Sequence, residues 1–520
     1  WGPLNSVPNR NSAAAWSSMV TGLNPGKHGI YWFTEDDPTD YTYKFINASY
    51  RRGKTMWRRL SEEGRKVVAI NVPLTFPAEE VDGITVAGLD APGVDDPRFT
   101  HPPGFRHELV EAAGGEYHIH SGHNLFSDPA RVDEGLERLH RSIDARAAAA
   151  AHTMEKHPWD FFMVVFTESD VIQHFFFRQM ESPRADDPAH HRSAIRDVYE
   201  HLDRVVGELV AKVDDETLVI LVSDHGARQD DGLARALPNW LEQLGLLSYK
   251  KEKAFTPRSL AMGAVKSVYR QLDKRLSTEI KHRLSERFPK LRRGVEVSLS
   301  YGEVDWSRTT AYTDGKRPEI WVNLQGRQQQ GIVPSQRFDE VRASIIEQLT
   351  TPVCAASGRP VVTGAYRREE AYSGPFVERS PDLVLEWAES GTCLDLEYPD
   401  GRRVVLNKDH LGDDPVAEAL NGGHSQHGVI GLLGAGAGRG RVEGAEIMDV
   451  ATTVLFALDT PLPADADGKV LRASLSPELA QRKERRASAS DDAHDGGDTG
   501  YSEEEEAEIR ERLHALGYVE

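Results

Sequence analysis

The sequence predicts an α/β fold: a doubly wound, largely parallel sheet between helices, with an inserted cap region. Three observations predict it. Short apolar runs that read as buried strands alternate with longer amphipathic stretches that read as helices. Two of those runs, 161–166 (FFMVVF) and 217–222 (TLVILV), each lead into a phrase carrying Asp and His. The carboxyl ends of strands are where open α/β sheets place their ligands. Finally, 520 residues, 39% hydrophobic and 28% charged, suit one large domain with insertions rather than a disordered chain.

Taken in order, residues 12–22 read as a short helix. Small residues open it and Gly22 stops it. The loop Asn24-Pro25-Gly26-Lys27-His28-Gly29 follows. Residues 66–72 (KVVAINV) and 84–89 (ITVAGL) read as buried strands. The Ala- and Arg-rich stretch 132–156 reads as a long helix, ahead of the strand at 161–166. Residues 192–213 are helical, with Ile195, Tyr199, Leu202, Val206, Leu209 and Val210 at helical spacing. The strand 217–222 comes next.

The character changes after about Leu237. Residues 250–293 hold fourteen Lys or Arg against four Asp or Glu. This reads as a basic helical insertion over the sheet edge, either a solvated face or an attractor for an anionic substrate. Beyond it come strand-like stretches within 309–324 around Asp314-Gly315, and an amphipathic helix at 338–349. A strand at 383–386 precedes a hairpin at 394–406 around Pro399-Asp400-Gly401. A strand at 429–433 and a helix at 448–458 follow. Residues 481–500, rich in Ser, Asp, Arg and Gly, are expected to be disordered. Residues 503–516 form a helix that docks back or stays free. The expected organisation is 1–236 for the first part of the core, 237–308 for the insertion or cap, 309–475 for the second part of the core, and 476–520 for a linker and terminal helix.

Composition excludes some classes. A net charge of −20 argues against a nucleic-acid polymer as partner. Cys354 and Cys393 are too few for a disulfide framework and read as two buried thiols. No apolar stretch reaches the roughly 18 residues of a membrane span, so no transmembrane segment is expected. The opening Trp1-Gly2-Pro3-Leu4 shows neither Met nor leader, and the expectation is that preceding sequence is missing. Compartment and oligomeric state stay open.

The chemistry sits in four phrases. In Thr167-Glu168-Ser169-Asp170 and on to His174, an Asp and a His stand four apart on a helix that begins after a strand, so they share a face. In Ser223-Asp224-His225-Gly226, adjacent Asp and His on a sharp turn point in different directions and suit two neighbouring ions. In Gly422-Gly423-His424-Ser425-Gln426-His427-Gly428, glycines bracket histidines just before a strand. Carboxylate and imidazole together suit zinc or a similar divalent ion. Each phrase alone is weak, since helix caps, turns and exposed His loops share these letters. Asp409-His410 has similar letters but no strong strand before it, and is set aside. The fourth phrase begins at Ser12, which opens the first helix. It reads as a plain N-cap, or as a nucleophile at a helix end that favours phosphate and beside a cation that lowers its pKa. Ser17, Ser18 and Thr21 lie within or at the end of that helix.

The phrase NSAAAWSSMVTGLNPGKHGI resembles the nucleophile segment of the alkaline phosphatase superfamily, most of all that of type I phosphodiesterases/nucleotide pyrophosphatases. Ser12 matches the nucleophile position. Thr21, Gly22, Pro25, His28, Gly29 and Ile30 match a T-G-x-x-P-x-x-H-G-I ending. FTESDVIQH, VSDHG and GGHSQHG resemble its metal-binding phrases, in order, and Leu516-Gly517-Tyr518 resembles the close of bacterial members. The likeness covers 1 to about 470 and is weakest over 230–300.

The resemblance implies an alkaline-phosphatase-like fold and two divalent metal ions, zinc or alternatively manganese. Asp170, His174 and His424 would hold one ion, and Ser12, Asp224 and His225 would approach the other. It further implies in-line attack by a metal-activated Ser12 on a phosphate ester, through a covalent phospho-enzyme. There are three departures. A strand-end Asp that binds the second ion in the family would precede Trp1. The usual proline is Ala14. An Asn that binds phosphate has no counterpart at Ala15, for which Asn11 is offered as a substrate-binding substitute. The alternatives are a phosphomonoesterase or phosphomutase on the same fold, or a non-catalytic relative that binds anions or partners. A sulfatase is disfavoured, because Ser12 lacks the following Pro and Arg of that family's modified residue.

Overall fold

Strand Val67–Val72 is buried along its whole length because helices cover both of its faces. Side chains alternate across a strand. Val68 and Ile70 enter one core with Leu139 and Ile143 of helix Val132–Lys156, Phe175 of Glu168–Glu181, and Val198 of Ala189–Val210. Val67, Ala69 and Val72 enter the opposite core with Met19 of helix Ser12–Thr21, Trp57 of Met56–Glu62, and Leu455 of Asp449–Ala457. Burial on both faces explains the unbroken apolar letters of VVAINV, which a half-exposed strand would not carry. The computed structural model describes residues 1–37, 39–119, 121–230, 232–250, 301, 304–388, 393–408, 415–488 and 500–518.

The α/β layering is as the sequence predicts, with the strands shared between two four-stranded sheets. One runs Thr100–His101, Gly83–Ala87, Val67–Val72, Phe161–Val164. Its three longer strands are parallel. The other runs Ala445–Glu446, Gly2–Asn5, His427–Gly434, Leu218–Val222 and is mixed. There His427–Gly434 lies antiparallel to both neighbours, and Gly2–Asn5 parallel to Ala445–Glu446. Phe161–Val164 and Leu218–Val222 are the last strands of their sheets. Both line a cleft of about 1530 Å³ that reaches Ser12, Asp170, Asp224 and His225. Tyr199, read from spacing as part of an apolar face, is 48% exposed and lines this cleft.

Most predicted elements form within a residue or two of their expected bounds. Helix Val132–Lys156 matches at both ends. The loop at Pro25 is instead a short helix, Pro25–His28, capped by the Asn24 side chain. A third core gathers Trp240 of helix Leu233–Gln243, Trp306, Trp321, Ile345 and Leu383. Around it lie the sheet Ala311–Tyr312, Glu319–Val322, Leu383–Trp387, Val362–Arg367 and the helix Phe338–Thr350.

The reading of Cys354 and Cys393 as free thiols is corrected: they form a disulfide. Strand Val353–Cys354 pairs with Asp395–Glu397, which sets the two Cα atoms 5.5 Å apart, within bridging range. Residues 251–293 of the basic stretch, Asp409-His410 and residues 489–499 of the expected disordered linker lie outside the described residues. The terminal helix Glu503–Ala515 docks back onto the first core through Ile509 and Leu513.

His28 shows how the motif after the first helix is used. The Ile30 N–H donates to its Nδ1 at 3.1 Å, so the ring proton sits on Nε2 and points to Ser18 Oγ at 2.9 Å. Burial, aided by the charge of Arg51, pushes this imidazole down to about 3. His123, buried near Arg512, is likewise pushed down to about 3. The unfolded chain binds these protons near pH 6.5 and the folded chain refuses them until about 3, so stability falls as pH drops through that window. Urea unfolding at pH 7 and pH 4.5 is expected to show this loss, and His28→Gln to reduce the difference. An equal slope in both proteins would remove His28 from the account.

Candidate metal centre

The site residues come from the ends of two strands, the first turns of two helices and a short strand that carries His424. Strand Phe161–Val164 runs into helix Glu168–Glu181, with Asp170 in its first turn and His174 one turn on. Glu168 anchors that turn. Its carboxylate is fully buried and accepts from Arg146 at 2.6 Å, Ser142 at 2.7 Å and Ser121 at 2.9 Å. Breaking a buried pair of this kind costs about 3–5 kcal/mol, so the turn that carries Asp170 is held firmly.

Strand Leu218–Val222 leads to Asp224 and His225. Gly226 is required by closeness: a Cβ there would lie 2.2 Å from the His427 carbonyl oxygen. Strand Gly422–Ser425 pairs with Gly226–Gln229, setting His424 opposite Ala227. The His424 ring consequently stacks on His225 at 3.6 Å. Ser12 is the first residue of its helix. Asn11 is the cap, its side-chain oxygen accepting from the Ala13 N–H at 3.0 Å. The plain-cap reading of Ser12 is thereby corrected, and its hydroxyl is left for the site.

All five expected ligands and Ser12 come together. Asp170 Oδ1 lies 3.4 Å from His174 Nε2, 3.5 Å from His424 Nε2 and 4.0 Å from His225 Nε2. His174 and His424 face each other Nε2 to Nε2 at 3.0 Å. Asp224 Oδ2 is 3.3 Å from His225 Nε2, is buried, and makes no hydrogen bond. Ser12 Oγ is 3.1 Å from His225 Nε2. Asn11 stands beside it, its buried Nδ2 also without a hydrogen-bond partner.

The outer contacts fix the tautomers. His174 Nδ1 faces the Gly422 carbonyl at 3.0 Å, His225 Nδ1 the Gly226 carbonyl at 3.0 Å, and His424 Nδ1 the Arg10 carbonyl at 2.6 Å. A carbonyl only accepts, so each Nδ1 carries the proton and each Nε2 presents a lone pair. Three lone pairs therefore converge with two carboxylates.

Burial opposes the Asp170 charge, but His174 beside it prevails and holds the carboxyl well below the usual carboxylate range. Burial would lower His174 too, and Asp170 overrides it, raising the imidazole. At Asp224 burial wins and pushes the carboxyl up; at His225 it pushes the imidazole down. A donor set of this kind fits a divalent cation. Among the described residues a second group, Asp133, His190 and His191, has similar spacing but is largely exposed.

Two-sided α/β layering brings imidazoles, carboxylates and a serine together beside one cleft, and the class of the protein is that of hydrolases acting on phosphoric esters. The chain belongs to the type I phosphodiesterase/nucleotide pyrophosphatase family, whose model matches residues 1–410. Among solved structures it is similar to human ectonucleotide pyrophosphatase/phosphodiesterase 5, at 13% identity over 90% of this chain and 88% of that one, with a TM-score of 0.44. It is similar to phosphonoacetate hydrolase from Sinorhizobium meliloti in complex with phosphonoformate, at 14% identity, 86% and 85% coverage, and a TM-score of 0.44. It is also similar to wild-type alkaline phosphatase PafA, at 14% identity, 91% and 92% coverage, and a TM-score of 0.45. The comparison with curated proteins finds no match.

Sequence reasoning assigned no site role to Tyr518, whose hydroxyl lies 3.3 Å from Ser12 Oγ. The closing Leu-Gly-Tyr phrase was its only signal, and no spacing rule links positions 506 residues apart. The carbonyls of Arg10 and Gly422 were equally out of reach, because backbone partners leave no mark in side-chain patterns.

Proposed function

We propose that this chain is a metal-dependent phosphodiesterase of the nucleotide pyrophosphatase type, with Ser12 as its nucleophile. The observation that carries the reading is the placement of Ser12 Oγ, at a helix N-terminus and 3.1 Å from His225 Nε2 within the ligand cluster. Asp170, His174 and His424 would hold one divalent ion, and Asp224 and His225 a second next to Ser12, with zinc the favoured metal and manganese the alternative. Bound there, the ions neutralise phosphoryl charge and lower the serine's pKa.

The protein's own residues do the rest. The positive end of the Ser12–Thr21 helix dipole attracts the ester's phosphoryl oxygens. The Asn11 Nδ2–H, which has no partner among the described residues, is placed to donate to one of them. Ser12 Oγ forms a bond to phosphorus as the bond to the leaving oxygen breaks; the serine proton ends on the departing alcohol, and Ser12 carries the phosphoryl group with its remaining ester. Water then attacks phosphorus, one of its protons returns to Ser12 Oγ as that bond breaks, and a phosphate monoester departs. The Gly226, Gly422 and Arg10 carbonyls keep the three Nδ1 protons in place throughout.

A panel of chromogenic phosphate monoesters, phosphate diesters and sulfate esters, assayed with zinc or manganese, tests this. Diesters are expected to be turned over fastest. Faster monoester turnover would move the reading to a phosphomonoesterase, and no turnover of any ester would favour a non-catalytic anion-binding role.

A further inference from the structure

The segment 500–518 is tied down along its length. The Tyr501 hydroxyl donates to the Asp90 carbonyl at 2.8 Å. Its ring stacks on Phe76, centroids 5.9 Å apart. Arg512, buried, donates to the carbonyls of Leu89 at 2.6 Å and Pro92 at 3.1 Å, and to that of Ala91 between them. Ile509, Leu513 and Leu516 join the first core. Gly517 then takes φ +79°, a left-handed turn that glycine adopts without strain.

That turn aims Tyr518 inward. The Trp32 indole N–H holds its carbonyl at 3.1 Å. The Phe33 ring packs 5.0 Å from its own, and the rings of His174 and His424 lie at 6.4 Å. The phenol is buried, and its oxygen is 3.3 Å from Ser12 Oγ. A helix, a buried guanidinium and two aromatic rings thus converge on placing one hydroxyl beside one serine. Packing alone would be served by a phenylalanine.

We propose that Tyr518 is a catalytic residue, its phenolic O–H donating to a non-bridging oxygen of the phosphoryl group as Ser12 attacks. The inference rests on the phosphodiesterase reading above. A group bonded to Ser12 Oγ must carry its other oxygens about one hydrogen bond beyond it, in the space the phenol borders. An unperturbed phenol ionises near 10, so it is a proton donor at neutral pH. The role of segment 500–518 is to deliver this donor.

The test compares wild type with Tyr518→Phe, both loaded with zinc, by diester kinetics and by calorimetric binding of inorganic phosphate. The Phe ring keeps the contacts to Trp32 and Phe33, so the melting temperature and zinc content are expected to stay unchanged. The expected loss is about 100-fold in kcat, the lower end of the range seen when one oxyanion donor is removed, with weaker phosphate binding. Trp32→Phe, which frees the Tyr518 carbonyl, is expected to lower kcat in the same direction by a smaller factor. Equal kcat and equal phosphate affinity in Tyr518→Phe would overturn the proposal. So would a rise in kcat, which would mark the segment as a plug over Ser12. A wild type that hydrolyses no ester would fail the phosphodiesterase reading instead, and the phosphate titration would still decide whether the phenol touches the anion.

Discussion

Ser12→Ala is expected to abolish hydrolysis of a chromogenic phosphodiester, lowering kcat by roughly three orders of magnitude or more, as loss of a covalent nucleophile does elsewhere. The fold has little reason to respond. The helix is capped by Asn11 rather than by Ser12, and the substitution removes one oxygen from a wall of the cleft. Melting temperature and metal content should therefore match wild type, which separates a chemical defect from a structural one. Acid-quenched wild type should carry the phosphoryl group with its remaining ester on the peptide containing Ser12, detectable by mass spectrometry, and the variant should not. Equal rates in the two proteins would remove Ser12 from the nucleophile role.

The second large effect is expected at Asp170. Its Oδ1 lies within 4.0 Å of all three imidazole Nε2 atoms, and in the proposed assignment it is the one carboxylate of the ion held with His174 and His424. Asp170→Asn keeps the shape and removes the charge. Zinc affinity is expected to fall by more than about 100-fold, beyond the 10- to 100-fold typical of losing an outer-shell partner, with diesterase activity falling alongside. Zinc at about 100 times its dissociation constant stabilises a protein by about 2.7 kcal/mol. Zinc should accordingly raise the melting temperature of wild type and leave that of the variant nearly unmoved. Calorimetric titration giving equal zinc affinity in both would end Asp170's place among the ligands.

What the sequence disclosed followed from periodicity. VVAINV was legible because a strand buried on both faces has no polar alternation to disguise it; FFMVVF and TLVILV carry the same unbroken apolar letters, but their strands close their sheets at the cleft and are only half-buried, with Leu221 50% exposed. Helix Val132–Lys156 was legible because small and charged residues repeat at helical spacing over 25 residues. The ligands were legible because three short phrases set Asp or His next to apolar strand-like runs. Strand direction was not. Leu218–Val222 and His427–Gly434 pair antiparallel across more than 200 residues, and apolar runs look alike in either orientation. The Cys354–Cys393 bond was hidden because bringing the two together needs the pairing of Val353–Cys354 with Asp395–Glu397, a contact between short strands with no signature of their own. Asn11 was read as a substrate group and proves to be the helix cap with an amide to spare. Asn is common at both kinds of position, so its letter could not separate them.

Synthesis order has a consequence for this cluster. A growing chain that has reached Gly226 already carries Ser12, Asp170, His174, Asp224 and His225, yet His424 is still about 200 residues away. At ribosomal speeds of about 5–20 residues per second, that is a delay of roughly 10–40 s. Until then the His225 ring has no His424 to stack on, and His174 Nδ1 lacks the Gly422 carbonyl that orients it. The centre thus closes late, after most of what surrounds it has been made, and an unfinished polypeptide on the ribosome carries Ser12 beside an incomplete cluster.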